Sequence, residues 1–131
     1  MRRGLLGAAV ERVLGRPIEL APAMLARYPE LADARYRRGG LPPRVGGWAL
    51  GEPTVEAITL WRTVFLGRDA SASADLLLHE VRHVHQFQAS RAFPLAYLWE
   101  SIRRGYHRNR FEIDARAYAA ARLRTRPPPR G

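Results

Sequence analysis

The sequence predicts an α+β domain: a small antiparallel sheet packed on one central helix, with two or three further helices closing over it. Three observations lead there. Residues 55–66 alternate in the period-two manner of a strand, with Val55, Ala57, Thr59 and Trp61 on one side and Glu56, Ile58, Leu60 and Arg62 on the other. From Ser73 to Arg124 the apolar spacing becomes helical, and small polar residues or glycine stand at the segment ends. The whole is 131 residues with 47% hydrophobic composition, enough for one core and too short for two.

The elements follow in order. Leu5, Leu6, Ala9, Val10, Val13 and Leu14 recur at helical spacing until Gly15 and Pro17, which predicts a short amphipathic helix over residues 4–14. It is expected to cover the core; the alternative is a helix lying on a membrane with Arg2 and Arg3 at the headgroups. Pro22 to Tyr28 reads as one or two helical turns ended by Pro29. Ala32 to Arg38 reads as a strand, with turns marked by Gly39-Gly40, Pro42-Pro43 and Gly46-Gly47. Residues 55–66 form either two strands or one bent strand. A helix then runs from a Ser71 or Ser73 cap to about Gln88, with Asp75 in its first turn, where a carboxylate suits the helix dipole. Pro94 opens a second helix, Leu95 to Arg104, which Gly105 ends. Asn109 caps a third, Arg110 to about Arg124. Residues 1–123 are one domain, and the Arg/Pro-rich residues 124–131 read as a disordered tail.

Composition excludes several classes. Without cysteine there is no disulfide framework, thiolate metal site or cysteine nucleophile, so a bound metal must use His, Asp and Glu. No apolar stretch approaches the ~18 residues of a membrane span, and the N-terminus is a poor signal peptide; the expected compartment is the cytoplasm. The net charge of +10 would point to a polyanion, but all 22 basic residues are arginine. With abundant Ala, Gly, Pro and Leu, that reads as the codon usage of a G+C-rich genome, which weakens the nucleic-acid inference. Ten of the arginines fall in residues 91–131 against Glu100, Glu112 and Asp114, a net +7 there.

The chemistry concentrates in His79-Glu80-Val81-Arg82-His83. Residues four apart lie about 40° apart around a helix, so His79 and His83 can aim two imidazoles at one ion. Glu80 falls beside them, where its carboxylate reaches a metal-activated water. Leu77, Val81 and Val84 form an apolar stripe away from the histidines, so packing and chemistry use different faces. The bland reading is a helix whose histidines merely pack. A zinc site needs a third protein ligand and an open position. His85 lies about 200° around from His83 and cannot join. Of His107 and Glu112, the latter is favoured: Glu112, Ala115 and Ala119 share a face, and alanines permit the close helix approach that a short carboxylate requires. The competing role for Glu112 is the capping box with Asn109. Tyr106 and His107 are candidate donors to an oxyanion, against a surface or packing role. Gln86, one turn past His83, is either a histidine partner or an ordinary surface glutamine.

This order of strand, polar loop, two-histidine helix and later Glu-x-x-Ala resembles the gluzincin branch of zinc metallopeptidases. Closer still, Ala57-x-Thr59, Val64-Phe65-Leu66, Leu77 to Gln86 and Asn109 to Ala115 resemble small bacterial metallopeptidase-like domains, and Phe93 to Tyr106 fits their aromatic linker helix. The resemblance spans about residues 55–120. It implies a minimal zincin-like fold, Zn2+ held by His79, His83 and Glu112, Glu80 as catalytic base, and a peptide or protein substrate. One departure is Arg116, where larger gluzincins often carry an acid; Asp114 is the weak substitute. Two alternatives stand beside this: a metal-binding, non-catalytic interaction module, and a basic nucleic-acid binder using Arg103, Arg104, Arg108 and Arg110 around Tyr106. Trp48, Trp61 and Trp99 read as core or edge packing.

Overall fold

The computed structural model describes residues 2–43 and 56–125, with side chains from Gly4 onward. Its elements are α1 (Arg2–Leu14), β1 (Arg16–Ile18), α2 (Pro22–Arg27), a 3-10 turn (Pro29–Asp33), β2 (Arg35–Arg38), β3 (Ala57–Leu60), β4 (Thr63–Leu66), α3 (Ala74–Ala89), α4 (Phe93–Arg104) and α5 (Arg110–Arg124). The architecture is mixed α+β, with a four-stranded sheet in the order β1-β2-β4-β3. Trp48, Val55 and residues 126–131 of the expected tail lie outside the described residues, while Arg124 belongs to α5.

The sheet is mixed rather than wholly antiparallel. β3 and β4 form a hairpin and β1 pairs antiparallel with β2, but β2 and β4 run parallel, Tyr36 opposite Val64. The Gly39-Gly40 and Pro42-Pro43 turns expected after the strand do not lead into a neighbouring antiparallel strand; Gly46-Gly47 lies outside the described residues. Instead the chain crosses over, and β3 takes the outer position, which leaves β4 running in the direction of β2. The choice between one bent strand and two resolves at Trp61, whose φ of 55° makes the two-residue turn that reverses the chain. β1 is too short to show a period, and its Pro17 suits an edge strand.

The core lies between this sheet and α3. Leu31, Val64, Leu66, Leu77, Leu78, Val81 and Val84 are fully buried in it. Tyr36 completes it, its hydroxyl donating to the Leu31 carbonyl at 2.8 Å. On its other side α3 packs most extensively against α5, and the buried Ala115 and Ala119 are what let the two axes approach. α5 is tied to the 3-10 turn by Tyr118 and Arg122, both of which donate to the Glu30 carboxylate.

α1 forms as expected but does not cover this core. Leu5, Leu6, Val10, Val13 and Leu14 are all exposed. The buried face of α3 is already occupied by the sheet, α5 and the 3-10 turn. α1 is held instead through backbone: Leu41 N–H donates to the Val13 carbonyl at 2.9 Å, and Arg37 donates to the Gly15 carbonyl at 2.9 Å. Gly15 has a φ of 82°, and a Cβ there would meet the Arg38 carbonyl oxygen at 2.5 Å, so only glycine fits this junction. Among the described residues no helix is long and apolar enough to cross a membrane.

Candidate metal centre

α3 begins where the sequence places it. The Ser73 hydroxyl accepts the Leu76 N–H at 3.2 Å, and the helix runs to Ala89. Its apolar residues Leu77, Val81 and Val84 turn inward, so His79 and His83 face α5 and α4. Their ring centroids are 5.0 Å apart with the planes at 76°. One ligand atom each of His79, Glu80 and His83 comes within 4.8 Å of the others, a group able to hold a metal ion.

Glu112 reaches this pair from the first turn of α5. Its Oε2 lies 2.9 Å from His79 Nε2 and its Oε1 2.9 Å from His83 Nε2. It is not a capping partner for Asn109: the Asn109 N–H donates to the Tyr106 carbonyl, and Asn109 itself caps α5 by accepting from the Phe111 N–H at 2.9 Å. The buried Asn109 also donates to the Tyr97 carbonyl at 3.1 Å and to Ser101 Oγ at 2.9 Å, locking α4 against the start of α5. Through that lock Tyr97 arrives at the centre, its hydroxyl donating to Glu112 Oε1 at 2.8 Å.

The orientation of His83 is set by neighbours. Gln86 Nε2 donates to the Phe111 carbonyl and to Asp114 Oδ2, each at 3.0 Å, so its Oε1 must face His83 Nδ1, 2.7 Å away. Nδ1 therefore carries the proton, and the remaining nitrogen, Nε2, points at Glu112. Asp114 does not touch a histidine; it holds Gln86 and is itself held by Arg82 at 2.7 Å. The hydrogen bond from Arg82 outweighs burial and lowers the Asp114 carboxyl below its usual value.

This geometry is the test of whether the residues suit a metal. A neutral His83 would aim an Nε2 lone pair at an anionic oxygen at 2.9 Å, which is repulsive. The contact needs something electrophilic, either a second proton on the ring or a shared cation. Without a metal the proton serves: burial works against a charged His83, yet the Glu112 hydrogen bond and the charges of Glu80 and Glu112 prevail and push it up to about 9. Burial likewise opposes an ionised Glu112, but hydrogen bonds from His79 and His83 hold it far below the usual carboxylate range. Each Glu112 oxygen stands 2.9 Å from one imidazole Nε2, a separation that a hydrogen bond or a shared ion can both span. A set of two imidazoles and one or two carboxylates is able to hold a metal ion.

Glu80 is buried, and its Oε2 accepts the Thr59 hydroxyl of β3 at 2.6 Å. Tyr106 is half-buried; burial first, and then the charges of Glu112 and Glu80, raise its phenol above its usual value, so it stays protonated beside the two carboxylates. His107 is exposed, its ring 5.5 Å from that of Tyr106, and its carbonyl accepts from Arg116. Arg116 therefore holds the loop before α5 rather than the imidazole of His79 or His83. His85 points away as expected, to Asp33 Oδ2 at 3.2 Å and against Tyr118. Of the tryptophans within the described residues, Trp61 and Trp99 are both exposed, not core.

Two residues of the centre are not evident from sequence reasoning, Tyr97 and Thr59. Tyr97 lies one turn after the buried Phe93 on the inward side of α4, and Thr59 is the polar residue on the strand face opposite α3. Those positions are the signals that could have found them. No family model, no curated protein and no solved structure matches the chain.

Proposed function

We propose that the chain is a zinc-dependent hydrolase of peptide or amide bonds, the ion held by Nε2 of His79, Nε2 of His83 and the Glu112 carboxylate. The observation that carries this reading is Glu112 facing both Nε2 atoms at 2.9 Å with the Glu80 carboxylate beside the histidines. The resemblance to gluzincins supports the choice of bond class. A bound zinc would supply Lewis-acid polarisation of the scissile carbonyl and acidify water at the site.

The chain's own groups do the rest. Thr59 holds one oxygen of Glu80, which fixes the carboxylate plane and leaves the other oxygen to accept a proton from the attacking water. The same carboxyl then gives that proton to the departing amine, so water and amide become acid and amine with no other reactant. Tyr97 steadies Glu112, and Gln86 with Asp114 fixes the ring of His83. Tyr106, kept protonated by its surroundings, is the candidate donor to an oxyanion; His107 is exposed and touches it through the ring.

The test is elemental analysis of protein purified without added metal, followed by cleavage assays on an unstructured peptide mixture. About one zinc per chain is expected, lost in His79→Ala and His83→Ala, while Glu80→Gln keeps the metal and loses cleavage. If no transition metal co-purifies and none binds on titration, the reading fails. If Glu80→Gln leaves everything unchanged and chelation unfolds the chain, the site is structural and the protein a non-catalytic module.

A further inference from the structure

We infer that the outward face of α4 is a docking surface for an anionic lipid membrane. Phe93 and Tyr97 give α4 its inward side, through which it meets α5 and the metal centre. Leu95 and Trp99 lie two residues either side of Tyr97, which places them across the helix from it. With Leu98 and Ile102 they recur at i, i+3, i+4 and i+7, a full apolar stripe. Their exposures of 73%, 61%, 56% and 71% for Leu95, Trp99, Leu98 and Ile102 decide that nothing among the described residues covers it. A single exposed leucine calls for no partner; four large apolar side chains at helical spacing, one of them tryptophan, do.

The charge around the stripe selects the partner. Exposed Arg91 precedes α4, Arg103 closes it beside Ile102, and exposed Arg108 and Arg110 follow, while Arg104 turns to the buried Glu100. The one carboxylate of the helix, Glu100, is buried, where it accepts the Arg110 N–H at 3.2 Å and offsets Arg104. What α4 presents is therefore apolar along its length and cationic at both ends. A second copy of the chain would bring arginines against arginines. A nucleic acid would use the arginines but leave the leucines in water. An anionic bilayer satisfies both: the stripe enters the boundary between headgroups and acyl chains, the indole of Trp99 sits at headgroup depth, and the arginines reach lipid phosphates. The His79, His83 and Glu112 cluster lies on the opposite side of α4, and the inference does not depend on the hydrolase reading.

The experiment is co-sedimentation of the full chain with vesicles of phosphatidylcholine alone and of phosphatidylcholine with phosphatidylglycerol. Binding at least roughly tenfold tighter to the anionic vesicles is expected, weakening as salt is raised. On those vesicles the tryptophan emission shifts to the blue, and the shift disappears in Trp99→Phe. Leu95→Gln with Ile102→Gln reduces vesicle binding by tenfold or more while circular dichroism and melting temperature stay as in the parent, since both side chains already stand in water. Equal binding to neutral vesicles, no binding to either, or anionic binding that survives the double glutamine variant would each overturn the proposal. So would a concentration-dependent dimer that the same variant dissolves, which would assign the face to a second copy.

Discussion

The candidate metal centre and α1 are secured by opposite means. Around Glu112, three helices and a strand are pinned by side chains: two imidazoles, a phenol, a glutamine, an asparagine and a threonine, and no buried side-chain nitrogen or oxygen among the described residues lacks a partner. α1 is held by backbone carbonyls and one glycine contact, with its leucines and valines in water. The difference teaches where this small domain concentrates its specificity. The buried polar cluster fixes one arrangement of α3, α4 and α5, because any other would strand a charged group away from water. The N-terminal helix has no such penalty for moving.

The largest effect that would break this contrast is Glu112→Gln. It removes the anion that answers His79 and His83 and leaves Tyr97 facing a weaker acceptor. Metal binding should be lost, and the metal-free fold should weaken by about 3–5 kcal/mol in denaturant unfolding, as for other broken buried pairs. A loss under 1 kcal/mol would mean that the cluster does not organise the three helices.

Next comes pH. In the chelated protein the His83 imidazole is raised from 6.5 to about 9. Its contribution is thus fully present below pH 6.5 and is lost as pH climbs through about 9. Unfolding free energy of the metal-free chain should fall on the order of 1–3 kcal/mol across that window, measured by denaturant titration at several pH values. Zinc should reverse the slope, because the ion displaces the proton.

Gln86→Ala is a finer probe. It frees Nδ1 of His83 and undoes the link to Asp114, and should reduce zinc affinity roughly 10–100-fold in a competition titration while leaving the helical content unchanged. Unaltered affinity would show that ring orientation is set by packing against Tyr97 alone. The smallest effect should come from α1: Leu5→Ser and Leu6→Ser are expected to change stability by no more than about 0.5 kcal/mol. A loss of 2 kcal/mol on thermal unfolding would place those side chains against something and erase the contrast.

Much of the centre is legible in the sequence because helices are local objects. Ser73, Gly105 and Asn109 mark ends, the four-residue spacing of His79 and His83 sets a common face, and the alanines after Glu112 announce a close approach. What is not legible depends on how separate elements meet. Tyr97 is one aromatic among several on its helix until Asn109 locks α4 to α5, and Thr59 is one strand residue until β3 lies beside Glu80. The parallel pairing of β2 with β4 is a fact of topology that strand periodicity does not encode. The exposure of α1 has the same origin: amphipathic spacing reports that a face is apolar and is silent on whether a place remains for it.

The carboxylate that unites the two imidazoles lies 33 residues downstream of His79. During synthesis the histidine helix therefore leaves the ribosome before the helix that carries its counter-charge is free to dock. These groups come together only once α5 docks, so a cation, if the cluster holds one, would report on completed folding: a C-terminally clipped chain would display the histidines and yet bind it weakly.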